Sequence, residues 1–229
     1  MPVFRLLDGF YTFPPPELAE PNGLLAVGGA LDFKWLLSAY SKRIFPWFGE
    51  GEEIMWWCPR ERFLIFPRDV HISGSMKKFM RREELAVRFD FNFEDVIANC
   101  AAMREDTWIT REMIEAYADL HMKGYALCVS VYDGEKLVGG LYGVTIGRCF
   151  FGESMFSRVK NASKLALIRL CEKLGQEGFL FIDCQFHTPH LESMGGKYVS
   201  WADFKKMLRE GINNDASVWK KLFKERFDA

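Results

Sequence analysis

Residues 126–157 constrain the fold most strongly, because they contain three consecutive strand-like stretches. The stretches are Ala126–Tyr132, Lys136–Ile146 and Arg148–Ser154. Asp133-Gly134, between the first two, is a strong signal for a two-residue hairpin turn. A meander of three strands must bury at least one face against other elements. The sequence therefore predicts an antiparallel sheet covered by helices.

Helices are predicted on both sides of this meander along the chain. Asn92 and Thr110 are suitable N-caps for two helices before it. An amphipathic helix follows over Ser163–Gln176, and its apolar positions form a broad face that can be buried. Phe179–Gln185 then reads as a further strand, and Ser200 as the cap of a late helix. This order predicts an α+β fold with helices packed on a mostly antiparallel sheet.

Residues 1–65 differ from the rest of the chain. They are rich in Pro, Gly and Trp and poor in regular periodicity, which predicts a small N-terminal α/β domain with many loops and one short helix, Phe33–Tyr40. Pro67 lies near the predicted boundary, so a larger domain would span residues 66–229. The order of elements in that larger domain is typical of acetyltransferase-like (GNAT-type) folds.

The composition is that of a globular protein that can bury a core, with 49% apolar and 27% charged residues. The net charge of −1 does not indicate nucleic acid, but residues 59–88 hold eight basic and four acidic residues, a local charge of +4. Six cysteines without a C-x-x-C pair indicate a reducing compartment. Because no signal peptide or membrane-spanning run is apparent, we expect a cytoplasmic protein.

The basic excess is concentrated in four side chains, Lys77, Lys78, Arg81 and Arg82. At helical spacing they would share one face. The usual interpretation of such a face is that it is simply solvated. Four cations close together also suit contacts with the phosphates of a nucleic acid.

Asp183 lies in an otherwise apolar strand, where a carboxylate must be paired or hydrogen-bonded to offset its burial. Strand alternation would place Asp183 and Gln185 on one face and Cys184 on the other. The pair could form a reactive site, or Asp183 could hold a neighbouring loop. The alternation disfavours a nucleophilic role for Cys184, which reads as a core residue.

Three further polar residues stand in unusual contexts. Glu153 follows Gly152, which suggests a bulge or a close backbone approach, and its carboxylate could hold a ligand ammonium group or pair with a nearby cation. His187 and His190 are three residues apart, but Pro189 intervenes and no third ligand has suitable spacing. We therefore expect no metal site.

Many segments of the chain closely resemble the leucyl/phenylalanyl-tRNA–protein transferases of bacteria. The resemblance covers nearly the whole sequence, with its motifs in the same order. The matching stretches are Phe13-Pro-Pro, Glu20-Pro-Asn-Gly-Leu-Leu-Ala-Val-Gly-Gly29, Ile44-Phe-Pro-Trp47, Ile54-Met-Trp-Trp-Cys-Pro59, Thr107-Trp-Ile-Thr110, Leu137-Val-Gly-Gly-Leu-Tyr-Gly143, Gly152-Glu-Ser-Met-Phe-Ser157, Ala162-Ser-Lys164 and Ile182-Asp-Cys-Gln185.

The resemblance implies an aminoacyltransferase that moves Leu or Phe from leucyl-tRNA or phenylalanyl-tRNA to proteins whose first residue is Arg or Lys. The product would carry a destabilising N-terminus that directs it to proteolysis, the N-degron pathway. The small N-terminal domain and the acetyltransferase-like domain predicted above are the fold that the resemblance implies. We expect a monomer that uses no cofactor and no metal and does not bind membranes.

The resemblance also assigns roles to individual residues. Asp183 and Gln185 match the catalytic pair, and Glu153 would hold an α-ammonium group. Trp47 and Trp108 would pack around the terminal adenosine of the tRNA. The apolar pocket for the carried side chain matches Leu141, Phe150, Met155, Leu167 and Leu170. The tRNA backbone would be contacted by Lys77, Lys78, Arg81 and Arg82.

The proton of the incoming ammonium group must go to a base. An amide is a very weak base, so Gln185 alone cannot take it. We expect Asp183 to orient and polarise Gln185 while the pair positions the amine. The proton acceptor stays open, and the ribose hydroxyl of the substrate is one candidate.

Some positions depart from the family pattern. Gly74 stands where an Arg is usual, and Cys58 replaces a common Ser. Two other classes of function remain as alternatives. An acetyltransferase that uses an acyl thioester would need a glycine-rich pyrophosphate loop, which does not precede the Ser163 helix. A non-catalytic RNA-binding module would not explain why Asp183 lies in an apolar strand.

Overall fold

The computed structural model describes residues 3–82, 84–103 and 107–213. Within these ranges the chain forms two β-sheets and seven α-helices. The strands are β1 (Phe4–Leu6), β2 (Leu24–Gly28), β3 (Phe45–Pro46), β4 (Met55–Trp57), β5 (Arg62–Ile65), β6 (Ala86–Phe89), β7 (Ala126–Asp133), β8 (Lys136–Ile146), β9 (Cys149–Ser157), β10 (Phe181–Asp183) and β11 (Lys197–Val199). The helices are α1 (Phe33–Tyr40), α2 (Gly74–Met80), α3 (Phe93–Ala102), α4 (Arg111–Met122), α5 (Ala162–Gln176), α6 (Pro189–Ser193) and α7 (Trp201–Asn213).

The larger sheet has the strand order β11-β5-β10-β9-β8-β7-β6. Its neighbouring strands pair antiparallel except β9 and β10, which are parallel. The meander β7-β8-β9 is its centre, and Asp133 pairs with Lys136 across a two-residue turn at Gly134-Glu135, one position later than Asp133-Gly134. The predicted α+β class with a mostly antiparallel sheet is confirmed.

The first 65 residues contain both strands and a helix, as the α/β prediction for them requires. Strands β1, β2, β4 and β3 form a smaller sheet in that order, although the sequence did not locate these strands. These strands are two to five residues long, too short to show a clear period. Helix α1 lies where predicted, and the Asp32 carboxylate caps it by accepting the Trp35 N–H. β5 belongs to the larger sheet, and the division between residues 65 and 66 stays a prediction.

Two of the three predicted helix caps have the expected geometry. The Thr110 hydroxyl accepts the Met113 N–H at 3.2 Å, and Ser200 caps α7 in the same way. Asn92 precedes α3, but its amide donates to the Tyr132 hydroxyl instead of capping the helix. Asn92 has φ of +56°, a left-handed conformation that turns the side chain away from the first helical N–H groups.

Two apolar layers cover the two faces of the larger sheet. One layer is built on α5 and includes the β8 and β9 residues Leu141 and Phe150. The other contains α3, α4, α7 and the smaller sheet. Helix α5 approaches β8 so closely that a Cβ atom on Gly139 would lie 2.5 Å from the Ala162 Cβ atom. Glycine at this position therefore lets the helix cover the sheet.

Strand β10 is shorter than the predicted Phe179–Gln185. It ends at Asp183, and Gln185 has φ of +56°. Side-chain alternation therefore stops before Gln185, and the inference that strand alternation places Asp183 and Gln185 on one face was wrong. The turn that replaces the strand positions part of the candidate site.

Candidate functional site

A cavity of about 440 Å³ lies between α5, strands β8 to β10 and the segment around β3. This volume falls in the range of about 300–1,000 Å³ that is typical of small-molecule sites. The predicted site residues that line the cavity are Trp47, Trp108, Leu141, Phe150, Glu153, Met155, Leu167, Leu170 and Gln185. The structure thus brings together residues that are up to 138 positions apart in the chain, from Trp47 to Gln185.

The inner part of this cavity is apolar. Leu141 and Met155 are cross-strand partners on β8 and β9, and Leu167 and Leu170 reach them from α5. Phe150 completes this wall and is fully buried. The five side chains offer shape and apolar surface without a hydrogen-bonding group, so they suit a branched aliphatic or aromatic side chain.

Glu153 enters the cavity because it is the extra residue of a β-bulge. Tyr142 pairs with Ser154 and Gly143 pairs with Gly152, so Glu153 between them has no partner on β8. Such a bulge re-aims a side chain that would otherwise follow the pleat. The bulge suggested by Gly152 in the sequence is confirmed.

Two tyrosine hydroxyls hold the Glu153 carboxylate. Tyr40 donates to one oxygen at 2.8 Å and Tyr117 donates to the other at 2.9 Å. The two hydroxyl oxygens lie 2.5 Å apart. Burial raises the pKa of Glu153 to about 7, against the lowering effect of both hydrogen bonds. Glu153 therefore exists in both protonation states near neutral pH.

Tyr142 adds a further hydroxyl to this side of the cavity. Its side chain is fully buried and lines the cavity. Its hydroxyl oxygen makes no hydrogen bond to any residue that the structure describes. Burial raises the pKa of Tyr142 well above its usual value, so the hydroxyl is neutral and can donate to a bound ligand.

Asp183 has a different environment, because it forms a buried ion pair with Arg62. Arg62 Nη2 lies 2.6 Å from one carboxylate oxygen, and Nε lies 3.2 Å and 3.3 Å from the two oxygens. The exposed fractions are 0% for Asp183 and 1% for Arg62. The Arg62 guanidinium also stacks on the rings of Phe45 and Phe204. The carboxylate itself is not part of the cavity wall.

Asp183 nevertheless determines where Gln185 lies. Its Oδ1 atom accepts the backbone N–H of Gln185 at 2.9 Å. The Gln185 carbonyl accepts the Phe63 N–H at 3.4 Å, which ties the turn to β5. These bonds help to hold Gln185 in its left-handed conformation, which is unfavourable for a residue with a side chain. Asp183 therefore orients Gln185 through its backbone.

Of the other polar candidates, Cys184 and His190 line the cavity and His187 does not. Cys184 packs against the apolar layer of α5, and burial raises its thiol pKa well above the usual value, which excludes a ready thiolate. His187 accepts or donates a hydrogen bond with Glu192 and stacks on Tyr198. Burial lowers the pKa of His190, which lines the cavity. Within the described ranges no three His, Cys, Asp or Glu side chains are placed to hold a metal ion.

Aromatic side chains form the mouth of the cavity. Trp47 is 42% exposed and packs against Trp57 and Phe186, with ring centroids 5.6 Å and 5.7 Å away. Trp108 is half-buried on the same cavity wall. Trp56, in contrast, is fully buried and belongs to the core. Exposed indole faces beside a cavity can stack a nucleobase.

The predicted basic face lies on and just after α2. Lys77, Lys78, Arg81 and Arg82 are all exposed. Helix α2 is anchored by apolar side chains, of which Met76 is the most buried, against the same layer as α5. The face is therefore fixed to the scaffold of the cavity, as a positioning contact for an anionic ligand would require.

Sequence reasoning missed the residues that hold the two carboxylates. Arg62 directly precedes the apolar run of β5, and a buried cation there could have been paired with the buried Asp183. Tyr40 and Tyr117 carried no comparable signal, because tyrosines on amphipathic helices are common in cores. Their hydroxyls meet Glu153 only through the tertiary fold.

No helix in the part of the chain that the structure describes is long and apolar enough to cross a membrane. Among solved structures, L-PGS from Bacillus licheniformis is similar over 84% of this chain and 72% of its own, with a TM-score of 0.45 and 12% identity. The GNAT type of the fold stays a prediction.

Two family models match the chain. The leucyl/phenylalanyl-tRNA protein transferase model matches residues 64–209, and the model of the N-terminal domain of the same transferases matches residues 29–60. A relative named leucyl/phenylalanyl-tRNA–protein transferase from Ectopseudomonas mendocina is 50% identical over 208 residues, which cover 89% of this chain and 92% of the relative. Another of that name, from Nitrosospira multiformis, is 48% identical over 88% of this chain and 89% of its own. The chain therefore belongs to the leucyl/phenylalanyl-tRNA protein transferase family.

Proposed function

We propose that this protein transfers Leu or Phe from aminoacyl-tRNA to the α-amine of proteins whose first residue is Arg or Lys. The observation that carries the proposal is the cavity that combines an apolar inner wall, an aromatic mouth and the Glu153 carboxylate. Family membership supports the same reaction. The modified proteins would be substrates for N-degron proteolysis in the cytoplasm.

The inner wall binds the carried side chain. The side chains of Leu and Phe bury their apolar surface against residues such as Leu167 and Phe150, away from water. A polar or charged side chain would leave its own groups unpaired there, which costs several kcal/mol, roughly 2–7. Near relatives such as Met are rejected more weakly, because a methylene in an apolar pocket is worth only about 1–3 kcal/mol.

Glu153 and the aromatic mouth position the rest of the aminoacyl-adenosine. The ionised carboxylate of Glu153 faces the cavity and can accept hydrogen bonds from an α-ammonium group. Trp47 and Trp108 stack around the terminal adenosine. The exposed cations of the α2 face contact the tRNA backbone without reading its sequence.

The reaction joins a neutral acceptor amine to an ester that is already activated. The amine nitrogen forms a bond to the ester carbonyl carbon, and the ester bond to the ribose oxygen breaks. One amine proton passes to the leaving ribose oxygen, and the proton of the original ammonium goes to solvent. Gln185, held through its backbone by Asp183, positions the amine. The neutral Tyr142 hydroxyl can donate to the developing oxyanion.

Transfer of radiolabelled leucine tests this proposal. The protein is incubated with leucyl-tRNA and a peptide that starts with Arg, and label in the peptide is measured. An N-acetylated copy of the peptide is the matched control, because it lacks the free amine. We expect label in the first peptide and none in the second. Absence of label from both would contradict the proposed function.

A further inference from the structure

A second cavity of about 430 Å³ directly adjoins the first. Trp47 and Trp108 line both cavities, so the two indoles form their common wall. The second cavity is also lined by Trp57 and by the loop that carries Glu50 and Glu52. The proposed sites for the carried side chain and the terminal adenosine lie in the first cavity and leave this space free.

The second cavity is acidic. Glu50 and Glu52 are exposed carboxylates, and none of the described residues that line the cavity is basic. Glu52 accepts the Gly49 N–H at 2.7 Å, which fixes the loop around it. Glu53 belongs to the same loop but is not part of the wall, and it pairs with Arg5 instead.

Its aromatic walls also favour a cation. Indole is the ring that attracts Lys and Arg side chains most strongly over its face. Trp57 is held in place because its Nε1–H donates to the Trp47 carbonyl at 2.6 Å. Aromatic faces together with carboxylates attract a guanidinium or an ammonium group on a long side chain. Phosphates, in contrast, are repelled by the carboxylates, which argues against a path for the tRNA backbone.

The position of the cavity narrows the choice of ligand. The reacting amine and the first side chain of the acceptor belong to the same residue. A subsite for that side chain must therefore adjoin the place where the amine reacts, beside Gln185 and Glu153. The second cavity meets this condition through its shared wall.

We propose that the second cavity binds the cationic side chain of the acceptor's first residue, with Glu50 and Glu52 as its charge partners. This inference rests on the proposed function, and it locates the preference for Arg or Lys in the loop after β3. Trp47 and Trp108 then separate the tRNA end from the acceptor end of the site.

The test compares Glu50→Gln/Glu52→Gln with Glu53→Gln as a matched control from the same loop. Glutamine keeps the side-chain oxygen that accepts the Gly49 N–H, so the loop is retained. Acceptor peptides start with Arg or with citrulline, its neutral analogue of equal shape. We expect the double variant to raise the KM for the Arg peptide about tenfold. The KM for the citrulline peptide, and all values for Glu53→Gln, should stay within twofold.

Two results would overturn the inference. One is an equal rise in KM for both peptides in the double variant, which indicates a general structural defect. The other is an unchanged KM for the Arg peptide together with altered affinity for leucyl-tRNA, which assigns the carboxylates to RNA.

A binding measurement separates this inference from the proposed reaction. The indole N–H signals of the ¹⁵N-labelled protein are followed while the Arg peptide is added. Shifts in the wild type that disappear in Glu50→Gln/Glu52→Gln support the subsite even if no leucine is transferred. Absence of shifts in the wild type would refute it, whether or not transfer occurs.

Discussion

Two strands beside the first cavity each carry a carboxylate among apolar residues, and the two carboxylates have different partners. Asp183 at the end of β10 is fully buried against the cation of Arg62. Glu153 in the β9 bulge is held by two neutral hydroxyls and faces the cavity. Because the Arg62 cation neutralises Asp183, this carboxylate stabilises the turn. Among the described residues, the hydrogen-bonding partners of Glu153 include no cation, so its charge remains available to a ligand.

Asp183→Ala should have the largest effect on stability. It leaves Arg62 buried without its partner, which costs about 3–5 kcal/mol in the free energy of unfolding. Transfer should also be lost, because Gln185 loses the acceptor of its backbone N–H. Urea unfolding followed by tryptophan fluorescence measures the first effect.

The control is the double variant Arg62→Met/Asp183→Leu. Apolar replacement of a buried ion pair often restores stability, so its unfolding midpoint should return towards that of the wild type. Its transfer activity should stay low. Full recovery of activity would show that Asp183 does not act through Gln185.

Glu153→Gln should change how stability depends on pH. In the folded protein the pKa of Glu153 is raised to about 7, so folding favours its protonated form. This contribution is complete below about pH 4 and is lost as the pH rises through 7, by about 3 kcal/mol in total. The variant has no such group. The difference between the two proteins, measured by urea unfolding from pH 4 to pH 8, should show the wild type losing stability relative to the variant. A constant difference would refute the raised pKa.

Tyr117→Phe should have a smaller effect. It removes one hydrogen bond to the ionised Glu153, so the pKa of Glu153 should rise above 7 while stability falls by about 1 kcal/mol. A ¹³C NMR titration of the glutamate carboxyl groups measures the pKa. Tyr142→Phe is the control, since Tyr142 makes no hydrogen bond to Glu153, and it should keep that pKa closer to 7. Equal shifts in both variants would argue against the hydrogen bond as the cause.

The double variant Lys77→Ala/Arg81→Ala should not affect either carboxylate. Both side chains are exposed and lie outside the cavity. The affinity for tRNA should fall, and the slope of log affinity against log salt should decrease by about 2, one for each lost phosphate contact. Filter binding at several salt concentrations measures the slope. An unchanged slope would mean that the α2 face is merely solvated.

The sequence predicted the meander, α1, α4 and α5 well, because Asp133-Gly134, the caps and the apolar period are local signals. Gly152 is a local signal too, and of the bulge and the close backbone approach that it suggested, the structure shows the bulge. The strands of the smaller sheet were not located, since strands of two to five residues show no period. The predicted end of β10 was wrong because the Asp183 carboxylate accepts the Gln185 N–H and turns the chain there. The local sequence pattern does not show this contact.

Partners across the fold were beyond local reasoning. Arg62 is 121 positions from Asp183, and Tyr40 is 113 positions from Glu153. The need for a partner could be stated from the buried charge, but its identity depends on how the strands and helices meet. The acidic second cavity likewise lies between two loops that are distant in the sequence.

The central claim is that Glu153 contacts the substrate whereas Asp183 acts through Gln185. It is tested most directly by measuring leucyl-tRNA affinity and the single-turnover transfer rate in Glu153→Gln and in Arg62→Met/Asp183→Leu. We expect Glu153→Gln to weaken leucyl-tRNA binding by about tenfold or more, as the loss of a hydrogen bond to a charged group does. The Arg62→Met/Asp183→Leu variant should bind leucyl-tRNA within twofold of the wild type and transfer leucine far more slowly. Wild-type affinity in Glu153→Gln, or a matching loss of affinity in both variants, would contradict the claim.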